Sequence, residues 1–262
     1  MKKFNMEDNP TSNEYNGLSH YVDLPTGGIY YPEGHPLHNV AQIEVKMMTT
    51  KEEDILTNQS YVENGVAVDK LLESIILVKI SPKDIHETDK MAVLLSARIE
   101  AYGPEYEVVS ICPHCSEEQE DTINLSDVLT NVVESEFEKT DAGTTIIELP
   151  KSKKVIEFKI LLPKDLESIS KSVDKMKKLN INTSFNIEFF KRIIVSMDGS
   201  EDKVQISEFV QNIRIMDSRA LTKAYNSSLP SISTERETVC QACNKESKGV
   251  LPIQANFFFP EL

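Results

Sequence analysis

The sequence predicts an α+β protein of helices and antiparallel hairpins, which together hold a split module of four cysteines. Three observations lead to this fold class. Several segments space their apolar residues with the period of an α-helix, and others alternate apolar and polar residues as a half-buried strand does. The cysteines form two Cys-x-x-Cys pairs, each after an extended run. With 262 residues, 40% of them hydrophobic and 27% charged, the chain can bury a sizeable core in one or two domains.

The first part of the chain has the pattern of a polar tail followed by a small, half-buried sheet. Residues 1–20 show no apolar period, and we predict that they form a mobile tail. Order is expected from Tyr21, in an extended segment that is broken by a turn at Gly27 and Gly28. A strand is then predicted over 41–47, because apolar and polar residues alternate there.

Three helices are predicted next. Thr49 or Thr50 is expected to cap a short helix, because each is followed three residues later by the glutamate of a capping box. Helical spacing predicts a second helix over 68–79 and a third over 88–102, which a glycine ends. Arg98 lies in the apolar stripe of the third helix. Its side chain could be buried against a carboxylate, or it could extend along the surface to reach water.

After the first cysteine pair, the pattern predicts hairpins and then helices. A return strand is expected over 121–125, and a further hairpin pairs 144–149 with 155–162. Helices are predicted over 163–178, 185–197, 207–213 and 216–227. The second cysteine pair opens a final hairpin over 248–254, followed by three phenylalanines at 257–259. These phenylalanines could form a contact with another protein or could be buried by the core.

The cysteines carry the main chemical signal, because all four fall into the paired spacing of a thiolate metal site. Two intervening residues let both sulfurs of a pair reach one ion, and four thiolates make a closed tetrahedral site. We therefore predict a structural Zn²⁺ bound by Cys112, Cys115, Cys240 and Cys243. Free thiols and redox or disulfide chemistry stay open, although the N-terminus does not resemble a secretory signal and a reducing compartment is expected. His114 could replace one ligand but is expected to be solvated.

Charge and motifs restrict the function further. The chain carries 42 acidic and 28 basic residues, a net charge of −14, whereas nucleic-acid binding needs a basic face. No apolar run is long enough to span a membrane. Because the acidic charge argues against nucleic acid, we expect protein partners. His35 and His38 could suggest a second metal site, but a surface loop is the simpler interpretation. No hydrolase, zinc-protease, phosphate-loop or dinucleotide motif occurs, and we predict no enzymatic activity.

An ordered series of short motifs resembles one family. The series begins with Leu-Pro-Thr-Gly-Gly-Ile-Tyr-Tyr at 24–31, the capped helix at 48–56, and the helical segments at 69–75 and 89–98. It continues with Tyr-Gly-Pro-Glu-Tyr at 102–106, Cys-Pro-x-Cys at 112–115, the distant second pair, and Asn-Phe-Phe-Phe-Pro at 256–260. This succession resembles the baseplate hub and hub-assembly proteins of T-even-like contractile-tailed bacteriophages. The resemblance covers most of 21–125 and 235–262.

The resemblance implies a non-enzymatic structural or assembly protein of a phage tail baseplate. It would act in the virion tail or in the host cytoplasm during assembly. Its partners would be other baseplate, hub or tail proteins, and it could form a homo-oligomer within a symmetric assembly. A zinc-ribbon adaptor in transcription or chaperoning is the alternative. The expected organisation is a mobile tail (1–20), an α+β core ending in the first cysteine pair (21–125), a hairpin plus helical segment (126–234), and the second cysteine pair with a C-terminal hairpin packed on the first (235–262).

Overall fold

The computed structural model describes residues 17–140, 142–179, 181, 183–251, 253 and 255–258. The α-helices are α1 (Thr50–Thr57), α2 (Gln59–Glu63), α3 (Ala67–Ile75), α4 (Glu87–Tyr102), α5 (Leu125–Thr130), α6 (Pro163–Lys178), α7 (Phe185–Ile193), α8 (Lys203–Gln211) and α9 (Ile215–Asn226). The strands are β1 (Ser19–Asp23), β2 (Gln42–Lys46), β3 (Glu105–Ile111), β4 (Glu118–Asn124), β5 (Val132–Val133), β6 (Thr145–Glu148), β7 (Val155–Phe158), β8 (Ile194–Met197), β9 (Ser231–Ile232), β10 (Glu235–Val239) and β11 (Glu246–Val250). Short 3-10 turns cover Pro82–Asp84 and Ala255–Phe258.

Every strand pair in the described part of the chain is antiparallel, which confirms the predicted fold class. The sheets are small: β1–β2, β3–β4, β5–β9 and β10–β11 have two strands each, and β6–β7–β8 has three. Because two-stranded sheets are marginal on their own, each depends on packing against helices or other hairpins. In the described helices, none combines the length and the apolar character that crossing a membrane requires.

The first hydrophobic core surrounds α4, which is buried along most of its length. Apolar residues of β1, β2, α1 and α3 pack there, together with half-buried residues of the β3–β4 hairpin. Phe257 and Phe258, from the far end of the chain, are also fully buried in this core. The idea that they form an outward contact is therefore wrong for these two side chains, and Phe259 lies outside the described residues.

A buried carboxylate fastens the segment after β1 to the start of α4. Asp89 accepts hydrogen bonds from the Thr26 hydroxyl at 2.7 Å, the Tyr31 hydroxyl at 2.6 Å and the Thr26 backbone N–H at 3.1 Å. The turn between these donors needs Gly28, because a Cβ there would lie only 2.3 Å from the Val40 nitrogen. Burial raises the pKa of Asp89 even though these hydrogen bonds act in the opposite direction.

Arg98 shows a third arrangement, different from both sequence predictions. Its side chain is buried, with 2% of the residue exposed, and no carboxylate among the described residues pairs with it. The guanidinium instead donates to the carbonyls of Phe257 at 3.2 Å and Gly103 at 3.4 Å. It also lies over the rings of Tyr102 and Tyr106, at 4.7 and 5.7 Å from their centroids. Carbonyl dipoles and π-faces therefore replace a counter-charge.

A second core is formed by residues of β6–β7–β8 and of α6 to α9. The chain enters this segment after β5 and leaves it before β9, and these two strands form a two-residue antiparallel pair. Two backbone hydrogen bonds extend it, from Ser233 to the Asn131 carbonyl at 3.0 Å and from Glu136 to the Ser227 carbonyl at 2.9 Å. We name this contact the neck.

One predicted helix is wrong in its last four residues. The sequence predicts a helix over 185–197, but α7 ends at Ile193 and the chain continues as β8, which pairs with β7. Ile194 and Val195 are β-branched and suit an extended backbone, and the Ser196 hydroxyl donates to Glu157 across the pair at 2.9 Å. The gain from completing this sheet overrides the helical pattern.

Other differences concern boundaries. β1 begins at Ser19, within the predicted tail, because it pairs with Lys46 of β2; residues 1–16 lie outside the described ranges. α3 stops at Ile75, short of the predicted 79, because the next residue forms an antiparallel bridge to β2. The last strand is 246–250 instead of 248–254, and α5 has no counterpart among the predicted helices.

Replacing Asp89 by alanine should lower the free energy of unfolding by about 3 kcal/mol, because it leaves buried donors of Thr26 and Tyr31 without an acceptor. Tyr31→Phe, which removes one donor and leaves the carboxylate, should cost less. Glu100→Ala, on an exposed position of the same helix, should change stability by less than about 0.5 kcal/mol. Urea unfolding of the three variants tests the order. Equal stability of Asp89→Ala and Glu100→Ala would contradict it.

Glu52, in the first turn of α1, should make stability depend on pH. Burial acts to raise its pKa, but hydrogen bonds from Lys46, Ser74 and Thr49 outweigh burial and lower the pKa to about 2. Thr49 and Glu52 also form the predicted capping box.

Because the pKa of Glu52 in the folded chain lies below its ordinary value of 4.5, this stabilisation is present above that value and is lost as the pH falls towards 2. Glu52→Gln should therefore be less stable at neutral pH and should show a flatter loss of stability between these two pH values. The measurement is thermal unfolding across that range. Parallel wild-type and variant curves would show that Glu52 does not act in this way.

Candidate metal centre

The two cysteine pairs occupy the same kind of hairpin turn. β3 leads into Cys112 and β4 follows the first pair, while β10 leads into Cys240 and β11 follows the second. In the first turn the Cys112 N–H donates to the Glu117 carbonyl at 2.8 Å and the Ser116 N–H donates to the Cys112 carbonyl at 2.9 Å. The second turn repeats both bonds with Cys240, at 3.0 and 2.8 Å.

In each turn the residue after the second cysteine has a left-handed backbone. Ser116 has a φ of 63° and Asn244 has a φ of 55°. Asparagine tolerates this conformation better than most residues, whereas serine gives no such signal in a sequence. These two residues shape the turns around the cysteines, and neither was among the residues predicted to form the site.

The fold brings the four predicted ligands together. Cys115 and Cys240 are 125 residues apart in sequence, yet their sulfurs lie 3.6 Å apart. The sulfurs of Cys112 and Cys243 are separated by 3.8 Å, and all four sulfurs lie within 4.8 Å of one another. In a regular tetrahedron with Zn–S bonds of about 2.3 Å, neighbouring sulfurs are separated by roughly 3.8 Å. The cluster therefore has the dimensions of a four-thiolate zinc site.

The electrostatics of the cluster also fit a cation. The N–H of His114 lowers the pKa of the Cys112 thiol. For Cys115, the backbone N–H of Glu117 acts to lower the pKa, but burial and hydrogen bonds from the neighbouring thiols outweigh it and raise the pKa. Four thiolates this close repel one another, so complete deprotonation requires a positive ion among them. The sulfur separations are too long for disulfide bonds, and all four cysteines are free.

His114 lies outside the set of sulfur ligands. Its Nε2 is 3.3 Å from the Glu246 carbonyl, so it links the two hairpins without entering the cluster. Two further contacts join the hairpins: Arg236 forms an ion pair with Asp121 at 3.0 Å, and the Gln241 N–H donates to the Gln119 side chain at 3.4 Å.

The weaker histidine suggestion is not supported by the geometry. His35 stacks on the ring of Tyr31, with 4.5 Å between centroids, and His38 contacts the Tyr31 carbonyl at 2.7 Å. Among the described residues, the four cysteines form the only cluster with enough ligand atoms close together for a metal ion. Four protein thiolates would fill a tetrahedral shell, so this arrangement suits a structural ion and leaves no position for a substrate.

Comparison with known proteins places the chain in a family. No curated protein and no solved structure matches it significantly. A family model described as "T4 bacteriophage base plate protein" matches residues 22–259. The match includes both cysteine pairs and also runs through 126–234, a part of the chain that the motif series does not cover. The chain therefore belongs to the T4 bacteriophage base plate protein family.

Proposed function

We propose that this protein is a structural or assembly component of the hub region of a phage tail baseplate and that it acts through contacts with other tail proteins. The family match over residues 22–259 carries this proposal. The closed geometry of the four thiolates supports a non-enzymatic role, because catalysis by a zinc ion needs an open coordination position. The net charge of −14 favours protein partners over nucleic acid.

We further propose that Cys112, Cys115, Cys240 and Cys243 hold one structural Zn²⁺. Bound there, the ion would supply the positive charge that keeps four thiolates together. Because Cys115 and Cys240 are 125 residues apart in sequence, the ion would also close a loop of more than 100 residues. Closing so long a loop removes much of the freedom of the unfolded chain. The residues that hold the ion would thereby join the β3–β4 hairpin to the β10–β11 hairpin.

The proposed site of action is the tail baseplate of the virion, or the host cytoplasm while the baseplate assembles. The reducing cytoplasm would keep the four free cysteines available as thiolates during assembly.

Protein purified without chelators should contain one zinc ion per chain by elemental analysis. Cys240→Ser should lose the ion and lower the free energy of unfolding by at least about 3 kcal/mol, since it removes a ligand and reopens the loop. His114→Ala is the matched control: it changes the same kind of turn but no sulfur ligand, and it should keep the zinc. Wild-type protein free of metal, or a Cys240→Ser variant that retains zinc at full occupancy, would contradict the site.

A phage that lacks this protein should produce filled heads without functional tails, because the baseplate on which tails are built would be incomplete. Electron microscopy of lysates and plaque counts measure this effect, and expression of the wild-type chain in the host should restore infectious particles. Mass spectrometry of purified particles then separates a virion component from an assembly factor that leaves. A normal yield of infectious particles without the protein would refute the proposed role.

A further inference from the structure

One face of the β3–β4 hairpin is exposed and acidic. Along β3 the exposed positions alternate with half-buried ones, and their partners across the pair lie on the same face. Val109 and Ile111 on this face are 57% and 70% exposed. No ion pair among the described residues involves its carboxylates, whereas Glu237 on the neighbouring hairpin pairs with Lys248 at 2.9 Å. We name as the hairpin face the side chains of Glu105, Glu107, Val109, Ile111, Glu118 and Glu120.

A surface of opposite charge lies at the C-terminal end of α6. Lys175 and Lys178 are three residues apart and therefore lie on one side of the helix, with Lys177 close by. These lysines are exposed, and none forms an ion pair in the described part of the chain. Leu179 and Ile181 are the next two described residues after α6 and are 71% and 52% exposed. We name these five residues the helix-6 end.

Both surfaces combine uncompensated charges with exposed aliphatic side chains. Isolated exposed apolar residues are common, but exposed apolar patches rimmed by polar groups mark protein–protein interaction sites. All the charged side chains that define the hairpin face are carboxylates, and all those that define the helix-6 end are ammonium groups. Complementary charges would steer and orient their encounter, and the aliphatic groups would lose water on contact.

One chain can present both surfaces at once. β3 and β4 pack on the first core through Tyr106, Val108 and Ile123, whereas α6 packs on the second core through Ile169 and Val173. The two surfaces therefore belong to different parts of the molecule, and both are exposed in the same chain at the same time.

We propose that the chain associates with a second copy of itself head to tail, with the hairpin face of one copy against the helix-6 end of the next. Such a contact joins two different surfaces, so each copy keeps one of each available, and repetition gives a ring or a filament. This inference goes beyond the proposed function and does not depend on it, because it concerns the isolated chain. The negative net charge of each copy opposes association only weakly near 0.15 M salt, because salt screens the repulsion between charges that are more than roughly 8 Å apart.

The test is sedimentation of the purified full-length chain and two charge-reversal variants. The first variant is Glu118→Lys with Glu120→Lys, and the second is Lys175→Glu with Lys178→Glu. We expect a Kd of about 0.1 mM for this contact. Wild type should therefore form dimers and larger species at about that concentration. Each variant alone should have a Kd raised by at least about tenfold, because like charges then meet.

Mixing the two variants distinguishes this contact from simple misfolding. In an equal mixture, the acidic hairpin face of the second variant meets the lysines of the first, and the reversed surfaces also match each other. Association should therefore return to within about threefold of the wild-type Kd. A chain carrying all four reversals should associate with itself for the same reason.

A matched control reverses charge on the equivalent face of the other hairpin, with Glu235→Lys and Glu246→Lys. This variant should associate as wild type does, and circular dichroism should show that every variant is folded. Wild-type protein that stays monomeric at about 0.1 mM, or folded variants that fail to restore association on mixing, would overturn the proposal. The control changes the net charge by the same amount as the first variant, so association lost equally in the control would show that the hairpin face is not the specific contact and would overturn the proposal as well.

Discussion

The buried carboxylate of Asp89 is the constraint on which the first core depends. It joins the segment after β1 to α4, the helix that the other elements of this core surround. A buried carboxylate is unfavourable unless donors surround it, and Thr26 and Tyr31 supply three of them. Tyr31 also accepts from the His86 N–H at 3.0 Å, so its hydroxyl holds the first turn of α4 as well. The turn around Gly28 thus places the hydroxyls of Thr26 and Tyr31 against the start of the central helix.

The C-terminal part of the chain is held by the C-terminal end of α4. Arg98 lies near the C-terminus of α4 and binds the carbonyl of Phe257, 159 residues later. The segment that follows the second cysteine pair is therefore fixed to the helix that precedes the first pair. This arrangement explains why the two hairpins meet with sulfurs at coordinating distances. Half-buried residues of β3–β4 pack on the first core, and Ile232 and Leu251, on either side of β10–β11, are buried in it.

The reliable sequence signals are those with a local cause. Thr49 and Glu52 form the predicted capping box, Gly103 ends α4 with a φ of 87°, and the Cys-x-x-Cys spacing alone is enough to predict the cluster. The errors have non-local causes. Ile194 could continue a helix, but its pairing with β7 decides otherwise, and that partner lies far away in sequence. Arg98 and Phe257 could not be connected by any pattern, because nothing in a sequence shows that a distant carbonyl replaces a counter-charge.

The neck has a consequence for how such a chain can change over time. β5 and β9 bring the entry and the exit of the second core side by side, and α6 adds a further attachment, in which Glu167 pairs with Lys83 at 2.7 Å. Because the two ends of the span from β5 to β9 meet at the neck, that span can lengthen or shorten without separating the two cysteine pairs. A change in the length of the second core is therefore compatible with the same metal-ligand geometry.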